Sequence, residues 1–226
     1  MRFVIHSCDK RKWYVNDFLI PIMVGQGING DDIVVWNDDG GRMGNLESCM
    51  RCFEWCGKND VGGSWHLQDD VLICADFYKR AKENDSGIVC GFCNIEFGPS
   101  VDVKGRVPAA FAWNSFQCIR IPDTIAGECA DWFYNEAMTR ADTDYQTKIA
   151  ARKHDDGFYR DFLIERHSDI KCLNLVPNLV EHVDFLVGGS VINMFRGHTS
   201  RAFYWQDENR VENLKQEIQN YNATRA

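Results

Sequence analysis

Residues 62–74 read GGSWHLQDDVLIC and place two adjacent carboxylates, Asp69 and Asp70, between two apolar runs. A carboxylate flanked by strand-like segments has little access to solvent, and a buried charge needs an opposite charge or a metal ion. The alternative is a plain turn or a helix N-cap. The position between apolar runs favours a metal site, and carboxylate oxygens are the hard ligands that Mg²⁺ and Mn²⁺ prefer.

Segments of strand and helix character alternate along the chain before this stretch. The pattern predicts strands at Arg2–Cys8 and 33–36 and helices at 13–24 and 43–57. Such alternation is typical of a single α/β domain with a mostly parallel central sheet flanked by helices. Ligands of these sheets bind at the carboxyl ends of the strands. The corresponding ends are polar and comprise residues 7–11, 37–42 and 68–70.

The second half of the chain continues the pattern less regularly. We predict helices at 76–84, 123–140 and 157–166, strands at 87–93 and 169–176, an irregular loop at 94–108, and a loop leading into a helix at 177–193. Residues 1–195 are expected to form the main domain. Residues 196–226 are expected to form a C-terminal extension with a polar helix at 211–221.

The bulk composition indicates a folded protein of moderate acidity. The chain has 226 residues, 45% of them hydrophobic, which is enough for one sizeable core. A net charge of −8 argues mildly against broad binding to nucleic acid, although a local basic groove is compatible with it. No run approaches the about 18 apolar residues of a membrane span. We therefore expect a cytoplasmic protein whose cysteines are reduced.

Two groups of cysteines invite a metal-site interpretation. Cys49, Cys52 and Cys56 fall on one face of a predicted helix, and Cys90 and Cys93 form a CxxC motif. A zinc site would require these two segments to meet in space. The simpler interpretation is that these cysteines are small buried hydrophobes.

The order of the motifs resembles glycosyltransferases with the GT-A fold over roughly residues 1–195. SWHLQDDVLI at 64–73 is similar to their DXD-type segment, in which acidic residues at a strand end bind a metal–nucleotide diphosphate, although Gln-Asp-Asp replaces a strict Asp-x-Asp. GGRMGNLESCMRC at 40–52 is similar to the segment that precedes that strand. VPNLVEHVDFLVGGSVIN at 176–193 resembles the carboxyl-terminal region of lipooligosaccharide-type and phage members.

This resemblance implies a metal-dependent transfer of a sugar from a nucleotide sugar, with a UDP-sugar as the favoured donor. Asp70 and His182 are the implied metal ligands, and the histidine favours Mn²⁺ over Mg²⁺. An alternative for His182 is a surface or core histidine. The residues expected to contact the nucleotide sugar are Ser7, Arg11, Asp38, Arg42, Asn45, Gln68 and Asp69.

The second acidic pair, Asp155-Asp156, is the candidate catalytic base, with Asp156 favoured. Attack by an acceptor hydroxyl requires a carboxylate that takes its proton. The alternative is a helix N-cap. The candidate acceptor-binding residues are Trp113, Asn114, Gly189 and Ser190. The alternative is that the segment at Trp113 is a strand with core aromatics and that Gly189-Ser190 belongs to a helix-packing element.

The acceptor and two rival functions stay open at this point. The acceptor hydroxyl belongs either to a hydroxymethylated base of phage DNA, in the host cytoplasm, or to a glycan. A nucleotidyltransferase would use the same acidic pair, but residues 7–12 lack the glycine-rich phosphate loop that it usually needs. A non-catalytic binding protein that retains the fold is the rival from another class.

Overall fold

The computed structural model describes residues 1–38, 44–92, 105–108, 116–139, 155–189, 205 and 207–225, with the backbone alone at 105–108. Within these residues the strands are β1 (Arg2–Cys8), β2 (Ile33–Asp38), β3 (Ser64–Gln68), β4 (Val71–Ile73), β5 (Ile88–Cys90), β6 (Gly105–Pro108), β7 (Cys118–Ile121), β8 (Lys171–Asn174) and β9 (Val180–His182). The helices are α1 (Lys12–Tyr14), α2 (Ile20–Gly25), α3 (Asn45–Lys58), α4 (Phe77–Glu83), α5 (Asp123–Asn135), α6 (Asp155–Arg166) and α7 (Glu208–Ala223).

A seven-stranded sheet in the order β2-β1-β3-β7-β5-β8-β6 forms the centre of the described chain. The pairs β1/β2, β1/β3 and β5/β8 are parallel, whereas β7 and β6 run antiparallel to their neighbours. Five of these seven strands therefore point the same way. The predicted α/β class with a mostly parallel sheet flanked by helices is confirmed.

Helices cover both faces of this sheet because its central strands are apolar on both sides. In β1, Phe3 and Ile5 pack into one hydrophobic cluster with α1, α2 and α7, while Val4 packs into a second cluster with α3, α5 and α6. This alternation is the two-residue period of a strand. A π-helical turn at Val15–Leu19 joins α1 to α2, so Pro21 lies in the first turn of α2 rather than ending the helix.

The strand register brings the predicted polar ends to one edge of the sheet, which we call the carboxyl edge. Cys8 at the end of β1 lies opposite Asp38 at the end of β2. His6 lies opposite Gln68, the last residue of β3. The turn that holds Asp69 and Asp70 follows Gln68 directly, so the acidic pair lies at this edge.

Three parts of the chain differ from the prediction. Residues 180–182 form β9, which pairs antiparallel with β4 and places His182 opposite Val71, so the predicted helix is wrong there. Residues 105–108 form a strand within the predicted irregular loop. The C-terminal helix α7 is not polar all round, since it buries Val211, Leu214 and Ile218 in the cluster that also contains Phe3.

None of the helices in the described part of the chain has the combined length and apolar character that crossing a membrane requires.

Candidate active site

Asp69 and Asp70 lie at the carboxyl edge in the turn between β3 and β4, and each is only 4% exposed. The guanidinium of Arg11, which follows β1, lies between them. Its Nη1 atom is 2.8 Å from Asp69 Oδ1 and 2.6 Å from Asp70 Oδ2. The backbone N–H of Cys8 also donates to Asp69 Oδ2 at 2.9 Å. The pair is thus a buried cluster held by a cation and a strand end rather than a solvated turn.

The segment after β9 lies over this cluster. Arg11 Nη2 donates to the Gly189 carbonyl at 2.7 Å, and Lys10 Nζ donates to the Gly188 carbonyl at 2.6 Å. Gly188 and Gly189 have positive φ angles of 107° and 76°, which residues other than glycine rarely adopt. Their conformation lets two successive carbonyls meet the two basic side chains.

His182 reaches the acidic pair because β9 pairs with β4. Its Nε2 atom is 3.1 Å from Asp70 Oδ2, and the Val183 N–H donates to the Asp70 carbonyl at 2.8 Å. Asp184, two residues further on, is 4% exposed and raises the pKa of the histidine through its charge. The structure therefore adds Lys10 and Asp184 to the residues that the sequence predicts here. The His-x-Asp spacing itself is the available sequence signal for Asp184.

The two adjacent carboxylates respond to this environment in opposite directions. Burial raises the pKa of Asp69, and the neighbouring Asp70 charge raises it further. Burial also tends to raise the pKa of Asp70, but the charges of His182 and Arg11 outweigh this effect, so the pKa of Asp70 is lowered. Burial lowers the pKa of His182, but Asp70 outweighs this effect and the net shift is upward. Asp70 is thus the more acidic of the two carboxylates, and a metal ligand must be deprotonated.

The atoms around Asp70 fit a divalent cation. Asp70 Oδ1, His182 Nδ1 and Asp184 Oδ1 are buried without a hydrogen-bond partner among the described residues. Asp70 Oδ2 is already engaged by His182 Nε2 at 3.1 Å and by Arg11 Nη1 at 2.6 Å, so Asp70 Oδ1 is the oxygen left for coordination. One carboxylate and one imidazole form a donor set that suits Mn²⁺.

The second predicted pair, Asp155-Asp156, begins α6. Asp155 is 5% exposed and hydrogen-bonds with Asn45, the first residue of α3. Asn45 begins the helix that follows β2 along the chain, so Asp155 lies beside the start of α3. The Asp156 N–H donates to Asp155 Oδ1 at 3.0 Å, and the Gly157 N–H donates to Asp156 Oδ1 at 2.6 Å. Each carboxylate therefore accepts from the N–H of the next residue, and both acidic charges lie in the first turn of α6, where they complement the helix dipole.

Replacing Asp155 by asparagine should make the protein's stability less dependent on pH. Burial, with the Asp156 charge, raises the pKa of Asp155 to about 8. In the unfolded chain the carboxyl of Asp155 releases its proton near pH 4, whereas in the folded protein it keeps the proton up to about pH 8. The free energy of unfolding is therefore highest below pH 4 and falls as the pH rises towards 8. Between pH 5 and pH 8 the wild type should lose on the order of 3 kcal/mol more unfolding free energy than Asp155→Asn.

Urea unfolding followed by circular dichroism at several pH values measures this difference. Asp161→Asn is a matched control, because Asp161 lies half-buried in the same helix and pairs with Arg160. Parallel pH profiles for the wild type and Asp155→Asn would contradict the prediction.

The remaining predicted residues fall into two groups. Ser7, Asp38 and Gln68 lie at the ends of β1, β2 and β3, so they share the carboxyl edge with the acidic cluster. A second group lies outside the described residues and comprises Arg42, Trp113, Asn114 and Ser190. The predicted CxxC motif is described only at Cys90, whose thiol donates to the Phe92 carbonyl at 3.0 Å.

Comparison with known proteins gives distant structural likeness alone. No family model matches the chain, and no curated protein matches it. Among solved structures, the chain is similar to A197 from STIV, at 14% identity and a TM-score of 0.45, over 80% of this chain and 84% of that one. It is also similar to the galactosyltransferase LgtC, solved in complex with donor and acceptor sugar analogs, at 12% identity and a TM-score of 0.42, over 94% of each chain.

Proposed function

We propose that the protein is a metal-dependent glycosyltransferase that moves a sugar from a nucleotide sugar to an acceptor hydroxyl. A UDP-sugar is the favoured donor. The observation that carries this proposal is the buried grouping of Asp70, His182 and Arg11 at the carboxyl edge. Ligands of open α/β sheets bind at this edge. Asp70 and His182 would bind a metal cation, and Arg11 carries a guanidinium charge. A metal ion and a guanidinium are the two kinds of positive charge that stabilise a nucleotide diphosphate.

Each residue of the cluster has a separate task in this proposal. Asp70 and His182 would hold Mn²⁺, or Mg²⁺ in its place, and the ion would supply charge neutralisation at the leaving diphosphate. Arg11 pairs with both carboxylates and offsets part of their negative charge. Asp69 binds the Cys8 N–H and Arg11, so it orients the end of β1 where the donor would lie.

The proton of the acceptor hydroxyl needs its own carboxylate. We assign this role to the pair that begins α6, because Asp155 hydrogen-bonds with Asn45 at the start of the helix that follows β2. Asp156 is the better candidate, since it is the less buried of the two. Asp155, whose pKa is raised to about 8, holds its proton at neutral pH and so does not supply the charged carboxylate that a general base requires.

We propose a hydroxymethylated base of phage DNA as the acceptor, with a glycan as the competing class, and a host cytoplasm as the location. The net charge of −8 makes a DNA acceptor dependent on local basic groups. Lys10 is one such group among the described residues, since its side chain is exposed beside the cluster. Parallel assays with hydroxymethylated DNA and with oligosaccharides separate the two acceptor classes.

A panel of nucleotide sugars tests the proposed function. Each donor is incubated with the full chain and Mn²⁺, and we measure both release of the nucleoside diphosphate and the shift in melting temperature. At least one donor should raise the melting temperature, and the same donor should be hydrolysed slowly without an acceptor. Absence of binding to every nucleotide and nucleotide sugar would overturn the proposal.

Asp156→Asn should lower turnover by about 10²-fold or more, because removal of a general base has an effect of this size. Its affinity for the donor should stay near that of the wild type. Steady-state kinetics with the identified donor and acceptor, together with donor titration by calorimetry, measure the two quantities separately. Asp161→Asn in the same helix should keep normal turnover. Near-normal turnover of Asp156→Asn would refute the assignment.

A further inference from the structure

A second cluster of metal-binding side chains lies on the opposite face of the sheet from α1 and α2. His6 of β1, His66 of β3 and Cys52 of α3 offer one ligand atom each, and these atoms all lie within 4.8 Å of one another. His6 Nε2 is 2.9 Å from His66 Nδ1, and Cys52 Sγ is 4.0 Å from His6 Nε2. We call these three residues the His-Cys cluster.

The fold builds this cluster from two strands and one helix. His66 lies opposite Val4 in the register of β1 and β3, and the strand period gives Val4 and His6 the same face. That face packs against α3, because Val4 belongs to the hydrophobic cluster that contains Cys52 and Cys56. One turn after Cys52, the Cys56 side chain lies near both Cys52 and His66. Three donor groups thus meet at one place, and Cys56 lies beside them.

The polar groups of this cluster are costly to bury without a ligand. His66 is fully buried, and its Nε2 atom has no hydrogen-bond partner among the described residues. Cys52 is fully buried as well. An unsatisfied buried polar atom costs about 1–3 kcal/mol. A cation that accepts lone pairs from the imidazoles and the thiolates would remove this cost.

We propose that His6, Cys52 and His66 bind one Zn²⁺ ion, with Cys56 as the fourth ligand. Tetrahedral zinc with bonds of about 2.0–2.3 Å separates nitrogen ligands by about 3.4 Å and nitrogen from sulfur by about 3.6 Å. The observed 2.9 Å and 4.0 Å differ from these values by about half an ångström. The thiols release their protons to solvent when the ion binds.

The site would be structural, and it is separate from the proposed active site. Its ligands join β1, β3 and α3, and β1 and β3 are the two strands whose ends carry Arg11 and the acidic pair. Sulfur and imidazole ligands select zinc, whereas the carboxylate and imidazole around Asp70 suit Mn²⁺. Neither proposal depends on the other, so a failure of one leaves the other standing.

Zinc content of the full chain tests the proposal directly. Wild type, Cys52→Ala and Cys49→Ala are equilibrated with Zn²⁺, dialysed against metal-free buffer and analysed by mass spectrometry of the metal. Cys49 is the matched control, because it is a buried cysteine one turn earlier in α3 and outside the cluster. Wild type and Cys49→Ala should keep about one zinc ion per chain, and Cys52→Ala should bind at least about tenfold more weakly. Wild type without bound zinc, or equal binding by Cys52→Ala, would overturn the proposal.

X-ray absorption at the zinc edge on the wild type provides a second test that does not require a variant to fold. A first shell of mixed nitrogen and sulfur, at about 2.0–2.1 Å and 2.3 Å, is the expected result. A shell without sulfur would place the ion elsewhere and would overturn the proposal. Replacement by Co²⁺ should likewise produce thiolate-to-cobalt charge-transfer absorption in the wild type and in Cys49→Ala.

Discussion

Replacing Arg11 by methionine should lower the free energy of unfolding by about 3–5 kcal/mol, because the change leaves two adjacent buried carboxylates without their cation. Arg11 is 3% exposed and contacts Asp69, Asp70 and the Gly189 carbonyl. Methionine keeps much of the side-chain volume, so lost packing contributes little. Urea unfolding at neutral pH, followed by circular dichroism, measures the difference.

Lys10→Met is the matched control for this variant. Lys10 also follows β1 and donates to a glycine carbonyl, but its side chain is exposed and contacts neither carboxylate. Its replacement should change the unfolding free energy by less than about 0.5 kcal/mol. The double variant Arg11→Met, Asp69→Asn should regain part of the lost stability, since it removes one of the two unpaired charges. Equal losses for Arg11→Met and Lys10→Met would show that the carboxylates do not depend on the guanidinium.

The sequence predicts the carboxyl edge well because its elements are local. β1 is an uninterrupted buried run, and the acidic pair follows β3 directly, so their positions need only strand length and the rule for parallel sheets. Arg11 is also predictable, since a basic residue just after the first strand must lie near the other strand ends. These residues form the part of the candidate site that the structure brings together.

Long-range pairing accounts for what the sequence does not predict. β7 enters the sheet between β3 and β5 and runs antiparallel to both, although no local pattern selects those neighbours. β9 has only three residues, Val180–His182, which is too short to distinguish from a helix by periodicity. His182 meets Asp70 only because this strand pairs with β4.

The cysteines illustrate the same limit within one helix. Spacing correctly places Cys52 and Cys56 on one face of α3, but the partners that this face meets come from the sheet. His6 and His66 are 60 residues apart in sequence, and they become neighbours only because β1 and β3 are adjacent and parallel. The available sequence signal is a pair of strand histidines on the face that a cysteine-bearing helix covers. To use this signal, one must know which strands pair.

Asp70→Asn should lower metal-dependent donor hydrolysis by about 10³-fold, because it removes the charged ligand from the centre of the proposed site. Asparagine keeps the shape of the side chain, and Arg11 keeps Asp69 as its partner, so the fold should survive. His182→Ala should instead shift the Mn²⁺ titration to higher concentration with a smaller loss at saturation, since one of two ligands remains. Asp76→Asn, a change at an exposed carboxylate beside α4, is the control.

Direct binding of Mn²⁺, followed by electron paramagnetic resonance, supplies a readout that does not depend on knowing the acceptor. Wild type and Asp76→Asn should bind the ion, and Asp70→Asn should bind it at least about tenfold more weakly. This comparison separates two explanations of an inactive Asp70→Asn. If Mn²⁺ binding falls together with hydrolysis, Asp70 acts as a metal ligand. If binding is unchanged, Asp70 acts only by charge-balancing Arg11 and His182, and the cation must bind at other residues.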